Sequence, residues 1–251
     1  MKLLGKIFLT GKIRALTGLA IGGSTTDVVI GGIDSNVIKN SAGVPYIPGS
    51  SLKGKMRSLL EKAAEKNICE CGMPNCSICV IFGSGAHKRA EETGPTRLLV
   101  RDAHMNLETK RKMENSEDEF KELELTYTEG KWENKIDRIT SKAEHPRQIE
   151  RVPAGAEFDY QMVYNIMEKD DIDRLIEVFK AMALLEDDYL GRSGSRGYGR
   201  IKFIDFTMGV KSINDYEENN YIREIYKGGT EEFMISQKDW KGKLLEKLGL
   251  N

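Results

Sequence analysis

The sequence has no long apolar run, and this absence bears on the class of protein. No stretch of its 251 residues approaches the roughly 20 consecutive apolar residues that cross a bilayer as a helix. The first residues, Met1 to Lys6, lead straight into an alternating pattern, without the apolar block and cleavage site of a signal peptide. We therefore expect a cytoplasmic protein that has no membrane partner.

Histidine is also scarce, and the three that occur are scattered along the chain. His87, His104 and His145 lie in separate segments, and no nucleophile, base and orienting residue form a recognisable set. The glycine- and lysine-rich segment 48–57 does not meet the Gly-x-x-x-x-Gly-Lys-Ser/Thr pattern of a nucleotide-binding P-loop. The sequence therefore argues against a catalytic triad and against a P-loop enzyme.

Acidic residues are rare at the start of the chain, although the whole chain is balanced at a net charge of −1. The first 60 residues hold eight basic residues and only two acids, Asp27 and Asp34, for a local net charge of +6. Residues 191–202 add four basic residues and no acid. Such a basic face on an acidic body is compatible with local binding of a polyanion, while ordinary solvated charge is the alternative explanation.

Six segments with strand-like or helical periodicity predict the core of the fold. Residues 2–16 alternate between apolar and basic side chains, which is typical of a half-buried strand with a basic outer face. Residues 52–64 carry an apolar stripe at helical spacing. A strand, a strand, a helix and a strand follow over 97–104, 158–164, 170–186 and 201–206. This order predicts an α+β protein with a ferredoxin-like, RRM-like core.

The helix that begins near residue 49 starts with small residues, which suits an anion. Its first backbone amides and the positive end of its dipole favour a phosphate, and one of the two serines is the expected N-cap. Lys53 and Arg57 share one face of this helix, away from the apolar stripe. A normal capped surface helix is the alternative. The candidate anion-binding residues of this segment are Ser50, Ser51, Lys53, Lys55 and Arg57.

A second candidate anion site is the glycine-rich loop, residues 191–199, which holds four glycines and two arginines between a helix and a strand. Glycine exposes backbone amides, and arginine adds bidentate phosphate contacts or stacking on bases. No helix follows the loop, so it is not a dinucleotide-binding fingerprint. A plain flexible turn would need fewer glycines and no arginines. The candidate RNA-binding side chains are Arg192, Ser193 and Arg196.

All four cysteines lie within eleven residues, spaced as Cys69-x-Cys71-x4-Cys76-x2-Cys79. Disulfides are rare in the cytosol, so this spacing favours a structural zinc site with four tetrahedral ligands. Cys71, Cys76 and Cys79 are the three best-supported ligands, and Cys69 or His87 is the fourth. Free buried cysteines and an iron–sulfur cluster are the alternatives.

Asp34 is a carboxylate in a glycine-rich loop within the basic first 60 residues. A carboxylate in this setting can hold Mg²⁺ together with water ligands. The pair can then position or activate a ribose 2′-hydroxyl for attack on the neighbouring phosphate. A lone aspartate in a loop is also typical of a turn cap, so the residue alone does not decide between the two roles.

Six segments in matching order resemble the repeated backbone subunit of type III-A CRISPR (Csm) complexes, a member of the RAMP superfamily. The segments are residues 17–23, 31–38, 47–57, 76–83, 150–155 and 191–199. The resemblance extends from residue 2 to about residue 207 and leaves the tail beyond 215 uncovered.

The resemblance implies a subunit that polymerises along a guide RNA, with other Csm and Cas subunits and further copies of itself, and cuts the paired target RNA. By position, Asp34 corresponds to the catalytic aspartate. Segment 140–153 corresponds to the thumb that interrupts the guide–target duplex, and the cysteines to a zinc-binding insertion. One departure is Ala20, where relatives often carry a histidine thought to help bind the guide. The residues corresponding to the guide-binding helix start are Ser50, Ser51, Lys53 and Arg57.

The core and its insertions divide the chain into four parts. Residues 1–66 form the first part of the RRM-like core with the RNA-binding helix. Residues 67–145 form an inserted zinc-binding and lid region. Residues 146–214 complete the core with the glycine-rich loop, and residues 215–251 form a C-terminal extension.

Three other functions remain compatible with these residues. The chain can be a non-catalytic RNA-binding scaffold of the same complex. It can also be a guide-precursor processing enzyme, although the histidine or tyrosine that such enzymes usually need is not evident near the glycine-rich loop. A zinc-dependent binding module unrelated to RNA is the third alternative.

Overall fold

The computed structural model describes residues 2–22, 36–64, 68–85, 93–235 and 237–250. Within these ranges the strands are β1 (Gly5–Ala15), β2 (Tyr46–Ile47), β3 (Leu98–Val100), β4 (Ala103–Met105), β5 (Glu129–Ile136), β6 (Ala143–Arg151), β7 (Glu157–Ile166), β8 (Ile201–Ser212) and β9 (Arg223–Gly228). The helices are α1 (Gly49–Ala63), α2 (Ser77–Phe82), α3 (Leu107–Glu114), α4 (Asp170–Asp187), α5 (Ile213–Glu217), α6 (Thr230–Ile235) and α7 (Gln237–Leu248).

Strand β1 lies at the centre of a seven-stranded antiparallel sheet, between β7 and β8. Beyond β7 the sheet continues with β3 and β4, and β2 follows β4, while β9 closes the opposite edge. The order β8–β1–β7–β3/β4, with α1 and α4 as the two connecting helices, is that of a ferredoxin-like core. The predicted α+β fold class is therefore confirmed.

The burial of β1 follows the alternation in its sequence. Ile7, Leu9 and Ile13 are fully buried, whereas Lys12 and Arg14 lie on the other face of the strand. Burying each such aliphatic side chain stabilises the fold by about 1.5–3 kcal/mol, which explains why a period of two fixes the strand's orientation. Helices α1 and α4 pack together against the buried face.

A two-stranded hairpin, β5–β6, stands apart from the main sheet. Three of its large apolar side chains are exposed, Trp132 by 64%, Ile136 by 55% and Ile139 by 94%, whereas Ile149 near its base is buried. The resemblance implies a thumb over 140–153. The sequence pattern does not reveal strand β5, because polar residues occupy both of its faces and leave no alternation. Residues 129–151 are called the thumb hairpin below because they overlap that segment, and their role as a thumb stays a prediction.

The last part of the chain extends the core sheet. Strand β9 pairs with β8, and an aromatic cluster joins α4 to the C-terminal helices. Phe233 lies with its ring centroid 4.4 Å from that of Phe179 and 5.0 Å from that of Trp240. No helix in the described part of the chain combines the length and the apolarity needed to cross a membrane.

Candidate nucleic-acid interface and metal centre

The glycine-rich loop is held against the segment that follows β1. The amide of Arg192 donates to the carbonyl of Ala20 at 2.9 Å, and that of Gly199 donates to the carbonyl of Gly18 at 2.9 Å. Gly191 has a φ of +84°, and a Cβ there would lie 2.4 Å from the Ala20 oxygen. The close approach of the two backbones therefore requires glycine at position 191. Ala20 itself is fully buried in this contact.

Helix α1 reaches the glycine-rich loop through Lys55 and Tyr189. The Lys55 ammonium lies 3.7 Å from the centroid of the Tyr189 ring and 3.0 Å from the carboxylate of Asp188. Gly194 lies so close to the same ring that a Cβ would fall 1.9 Å from a ring carbon. Tyr189 is thus the contact between the helix and the loop, and sequence reasoning missed it because nothing in its neighbourhood marks a cation partner.

The residues that flank Asp34 meet at the base of this loop. Gly22 and Val37 form an antiparallel bridge, so the two flanks of the segment 23–35 run side by side. The Arg192 guanidinium donates to the carbonyl of Asn36 at 2.8 Å. Burial lowers the pKa of Arg192, although the Glu150 carboxylate partly offsets the effect. Asp34 lies outside the described residues, two positions before Asn36.

Glu150 links the thumb hairpin to residues 37–39, next to the base of the glycine-rich loop. Its buried carboxylate accepts hydrogen bonds from the Val37 amide at 2.8 Å, the Thr128 hydroxyl at 2.7 Å and the Lys39 ammonium at 2.5 Å. Burial alone would raise the pKa of Glu150, but these three donors outweigh it and hold the pKa below its usual range. A buried carboxylate with this many donors stays ionised and keeps residues 37–39 in position.

The start of α1 differs from the predicted capping. The helix begins at Gly49 with Pro48 as N-cap, and the Asp102 carboxylate accepts the Gly49 amide at 2.8 Å. The prediction that a serine caps this helix is therefore wrong. Ser50 is exposed and Ser51 half-buried, so both stand at the helix start without a capping role.

Lys53 and Arg57 share a face, as predicted, but that face turns away from the glycine-rich loop. Lys53 donates to the carbonyl of Leu98 at 2.9 Å, and its burial, followed by the charge of Arg57, lowers its pKa. The Arg57 guanidinium donates to the carbonyls of Cys69 at 2.5 Å and Gly83 at 2.9 Å. Both side chains therefore contact the protein, and RNA binding by either one stays a prediction.

The predicted cysteine cluster is brought together. The Sγ atoms of Cys69, Cys71, Cys76 and Cys79 all lie within 4.8 Å of one another, so the four can hold a metal ion. Cys69 thus joins the other three, while His87 lies outside the described residues. Burial would raise the pKa of Cys76, but hydrogen bonds from the Cys79 amide and the other thiols lower it to about 7. Burial raises the pKa values of Cys69 and Cys79, so Cys76 ionises more readily than these two neighbours.

The cysteine cluster is coupled to α1 by an ion pair. Glu61, only 7% exposed, accepts from the Cys69 amide at 3.1 Å and from the Arg57 guanidinium at 2.9 Å. Glu61 therefore accepts a hydrogen bond from the amide of Cys69, while Arg57 donates one to the carbonyl of the same residue.

Replacing Arg57 with alanine should weaken metal binding by about 10- to 100-fold, because partners that orient metal ligands typically contribute that much. Competition with a chromophoric chelator measures the affinity. Lys53→Ala is the matched control. Lys53 lies on the same face but contacts Leu98 rather than the cysteine loop, as the described residues 68–85 are called below. Unchanged metal affinity in Arg57→Ala, together with weaker and less salt-dependent guide binding, would instead make Arg57 a phosphate contact.

The other predicted residues of the loop face solvent or the thumb hairpin. Ser193 adopts a left-handed conformation with φ of +59°. Arg196 is exposed, donates to the Ser193 hydroxyl at 2.9 Å and lies 3.8 Å from the Glu133 carboxylate of β5. The structure thus brings together the loop, Lys55, the flanks of Asp34 and the thumb hairpin, and sets Lys53 and Arg57 against β3 and the cysteine loop.

A ferredoxin-like core that carries a glycine-rich loop, a hairpin beside that loop and a thiol cluster beside α1 defines the class of protein. The chain belongs to the RAMP superfamily, whose family model matches residues 12–202. It is 42% identical over 228 residues to the "CRISPR system Cms endoribonuclease Csm3" of Methanocaldococcus jannaschii, covering 87% of each chain. The protein of the same name from Streptococcus thermophilus is 43% identical over 205 residues, 79% of this chain and 87% of that protein.

Solved structures give the same result. The chain resembles a component of the Csm3–Csm4 subcomplex of the type III-A CRISPR-Cas interference complex, with 31% identity and a TM-score of 0.61. That match covers 95% of this chain and 97% of the other. The resemblance inferred from the six sequence segments is therefore confirmed.

Proposed function

We propose that this chain is a guide-RNA-binding backbone subunit of a type III-A CRISPR interference complex, and that it cleaves guide-paired target RNA with Asp34 and Mg²⁺. The relatives are endoribonucleases by name, and a structural relative forms a subcomplex with a second subunit. The single observation that carries the proposal is the convergence of the glycine-rich loop, Lys55 and both flanks of Asp34. Its partners are guide RNA, target RNA, other Cas subunits and further copies of itself, in the cytoplasm.

The guide strand is proposed to lie along the start of α1 and the glycine-rich loop. The amides of Ser50 and Ser51 precede the first intrahelical hydrogen bond, which Leu52 donates to Pro48, so they are available to a phosphate. Arg196 presents an exposed donor on the loop, and the half-buried Ser193 adds a hydroxyl beside it. Lys55 and Arg192, both held by the protein, add positive charge beside them rather than mobile contacts.

Asp34 is proposed to act on the target strand. Mg²⁺, when bound, supplies charge stabilisation at the scissile phosphate. The Asp34 carboxylate orients the ribose 2′-hydroxyl and favours its attack on the neighbouring phosphorus, which expels the 5′-oxygen of the next nucleotide. The products of this step are a 2′,3′-cyclic phosphate and a 5′-hydroxyl. The pairing of Gly22 with Val37 fixes the base of the segment that carries Asp34.

Structural zinc is the metal that we propose for the thiol cluster. Four thiolates at Zn–S distances of about 2.3 Å in a tetrahedron lie about 3.8 Å apart. The Sγ separations of Cys69 from Cys71 and Cys79 are 3.9 and 3.7 Å, that of Cys71 from Cys79 is 3.7 Å, and that of Cys69 from Cys76 is 3.3 Å. Because thiolates occupy all four positions, this site has no open coordination position for catalysis.

The proposal is tested by reconstituting the complex around this subunit with a guide RNA and a labelled complementary target. In Mg²⁺ the target should be cut at regular intervals, with cyclic-phosphate and 5′-hydroxyl ends, and excess EDTA should stop cutting while the target stays bound. Undiminished cutting in EDTA would remove Mg²⁺ from the proposal. Tight target binding without any cutting would identify a scaffold subunit instead.

A further inference from the structure

Tyr198 occupies the junction between the glycine-rich loop and the thumb hairpin. Its side chain is 1% exposed and forms a small apolar cluster with Ala20 and Ile149, apart from the main core. The Lys131 ammonium of β5 lies 4.7 Å from the ring centroid, and the Arg151 guanidinium of β6 lies 5.0 Å from it. Both strands of the hairpin therefore hold the same aromatic ring through a cation–π contact.

Glu133 adds a polar contact at the same junction. Its carboxylate is 13% exposed and pairs with Arg147 at 3.1 Å on the neighbouring strand and with Arg196 of the loop at 3.8 Å. The Tyr198 hydroxyl has no acceptor at full hydrogen-bond geometry among the described residues, yet the carboxylate beside it adds to burial in raising the pKa of Tyr198. The ring and Glu133 thus join one end of the loop to β5 and β6.

The base of the hairpin also contacts the two chain segments that flank residues 23–35. Leu19 and Val152 exchange two backbone hydrogen bonds of 2.8 Å, and Glu150 accepts from Val37. Backbone hydrogen bonds therefore fix the base to the segment after β1, whereas Tyr198 and Glu133 link it to the glycine-rich loop. These side-chain contacts lie where the hairpin meets the loop.

We propose that Tyr198 is a positioning residue that sets the angle of the thumb hairpin and thereby the phosphate of the target that is cut. This inference rests on the proposed function. A strand of eight residues extends about 25 Å, so a tilt of about 10° at the base moves the tip by about 4 Å. That displacement is comparable with the roughly 3.4 Å rise of one nucleotide along a strand.

The test compares Tyr198→Leu, Tyr198→Phe and Glu133→Gln in the reconstituted complex, with target fragments resolved at single-nucleotide steps. Tyr198→Leu keeps an apolar filler but removes both cation–π contacts, and should move at least half of the product to adjacent phosphates. Tyr198→Phe keeps the ring and should give nearly the cleavage pattern of the unaltered complex. Glu133→Gln should move a fraction of the product that is intermediate between those of Tyr198→Phe and Tyr198→Leu. The matched control is Tyr216→Leu, which removes a cation–π contact with Lys211 at a separate place in the fold.

A second measurement does not depend on cleavage. Hydrogen–deuterium exchange on the full chain should accelerate in residues 129–151 and 191–199 of Tyr198→Leu, and should remain unchanged in β1 and β7. Products at the original phosphates with only a lower rate, or exchange that accelerates throughout the chain, would overturn the positioning role. The proposed function fails by a different result, because it requires that the unaltered complex cuts and that Asp34→Ala does not.

Discussion

The complex assembled with Asp34→Ala should bind guide-paired target RNA normally and cut it at least 100-fold more slowly. A positioned acid–base group contributes about 10²–10⁴ in rate, or about 2.7–5.4 kcal/mol of transition-state stabilisation. Single-turnover cleavage of labelled target, with binding followed separately by filter retention, measures both quantities. The binding should survive because the strand contacts come from the glycine-rich loop and the start of α1, not from Asp34.

The chain supplies a matched control for this experiment. Asp27 is the other acid in the first 60 residues and lies in the same segment, so Asp27→Ala removes the same charge from the same basic surroundings. It should leave the cleavage rate within a few-fold of the original. Asp34→Asn, which keeps the size of the side chain but cannot accept a proton or bind a cation as strongly, should resemble Asp34→Ala. Cutting by Asp34→Ala at the original rate would defeat the assignment and favour a scaffold role.

Removal of the metal should lower the thermal stability of the chain by about 10 °C or more. Structural zinc contributes folding free energy directly, and a loss on the order of 5 kcal/mol shifts the melting temperature by about 10–20 °C in a chain of this size. The cysteine loop contains only the short helix α2, and its backbone is held to α1 through Arg57 and Glu61. Without the metal, four thiols crowd together at this point with no ion to bridge them.

Calorimetry before and after dialysis against a strong chelator, with elemental analysis of the same samples, measures this effect. One equivalent of zinc should be present at the start, and adding zinc back should restore the melting temperature. Magnesium serves as the control, since a hard cation that prefers oxygen ligands should restore nothing. Cys79→Ser should reproduce the chelated state. A metal-free chain that melts at the original temperature would contradict a structural role, and iron in place of zinc would identify a cluster.

Local patterns in the sequence predicted the elements of the core and pointed to the cysteine cluster. The alternation of β1, the apolar stripe of α1 and the stripe over 170–186 each depend on neighbours along the chain, and the structure matches them closely. The strand β5 was missed because it packs against no core and therefore has no apolar face to reveal it. The four cysteines were recognised because metal ligands that lie within eleven residues leave a spacing that can be read directly.

By itself, the sequence determined the ferredoxin-like order of strands and helices, the thiol cluster and the family, since each is encoded in residue type and spacing. Only the tertiary structure decided which basic residues stand beside the glycine-rich loop: Lys55 does, while Arg57 serves the cysteine loop. Helical spacing gives the angle between Lys55 and Arg57 but not what lies opposite each side chain. The positions of Tyr189, Tyr198 and Glu150 depend in the same way on contacts between segments that are distant in the chain, and no local pattern records such contacts.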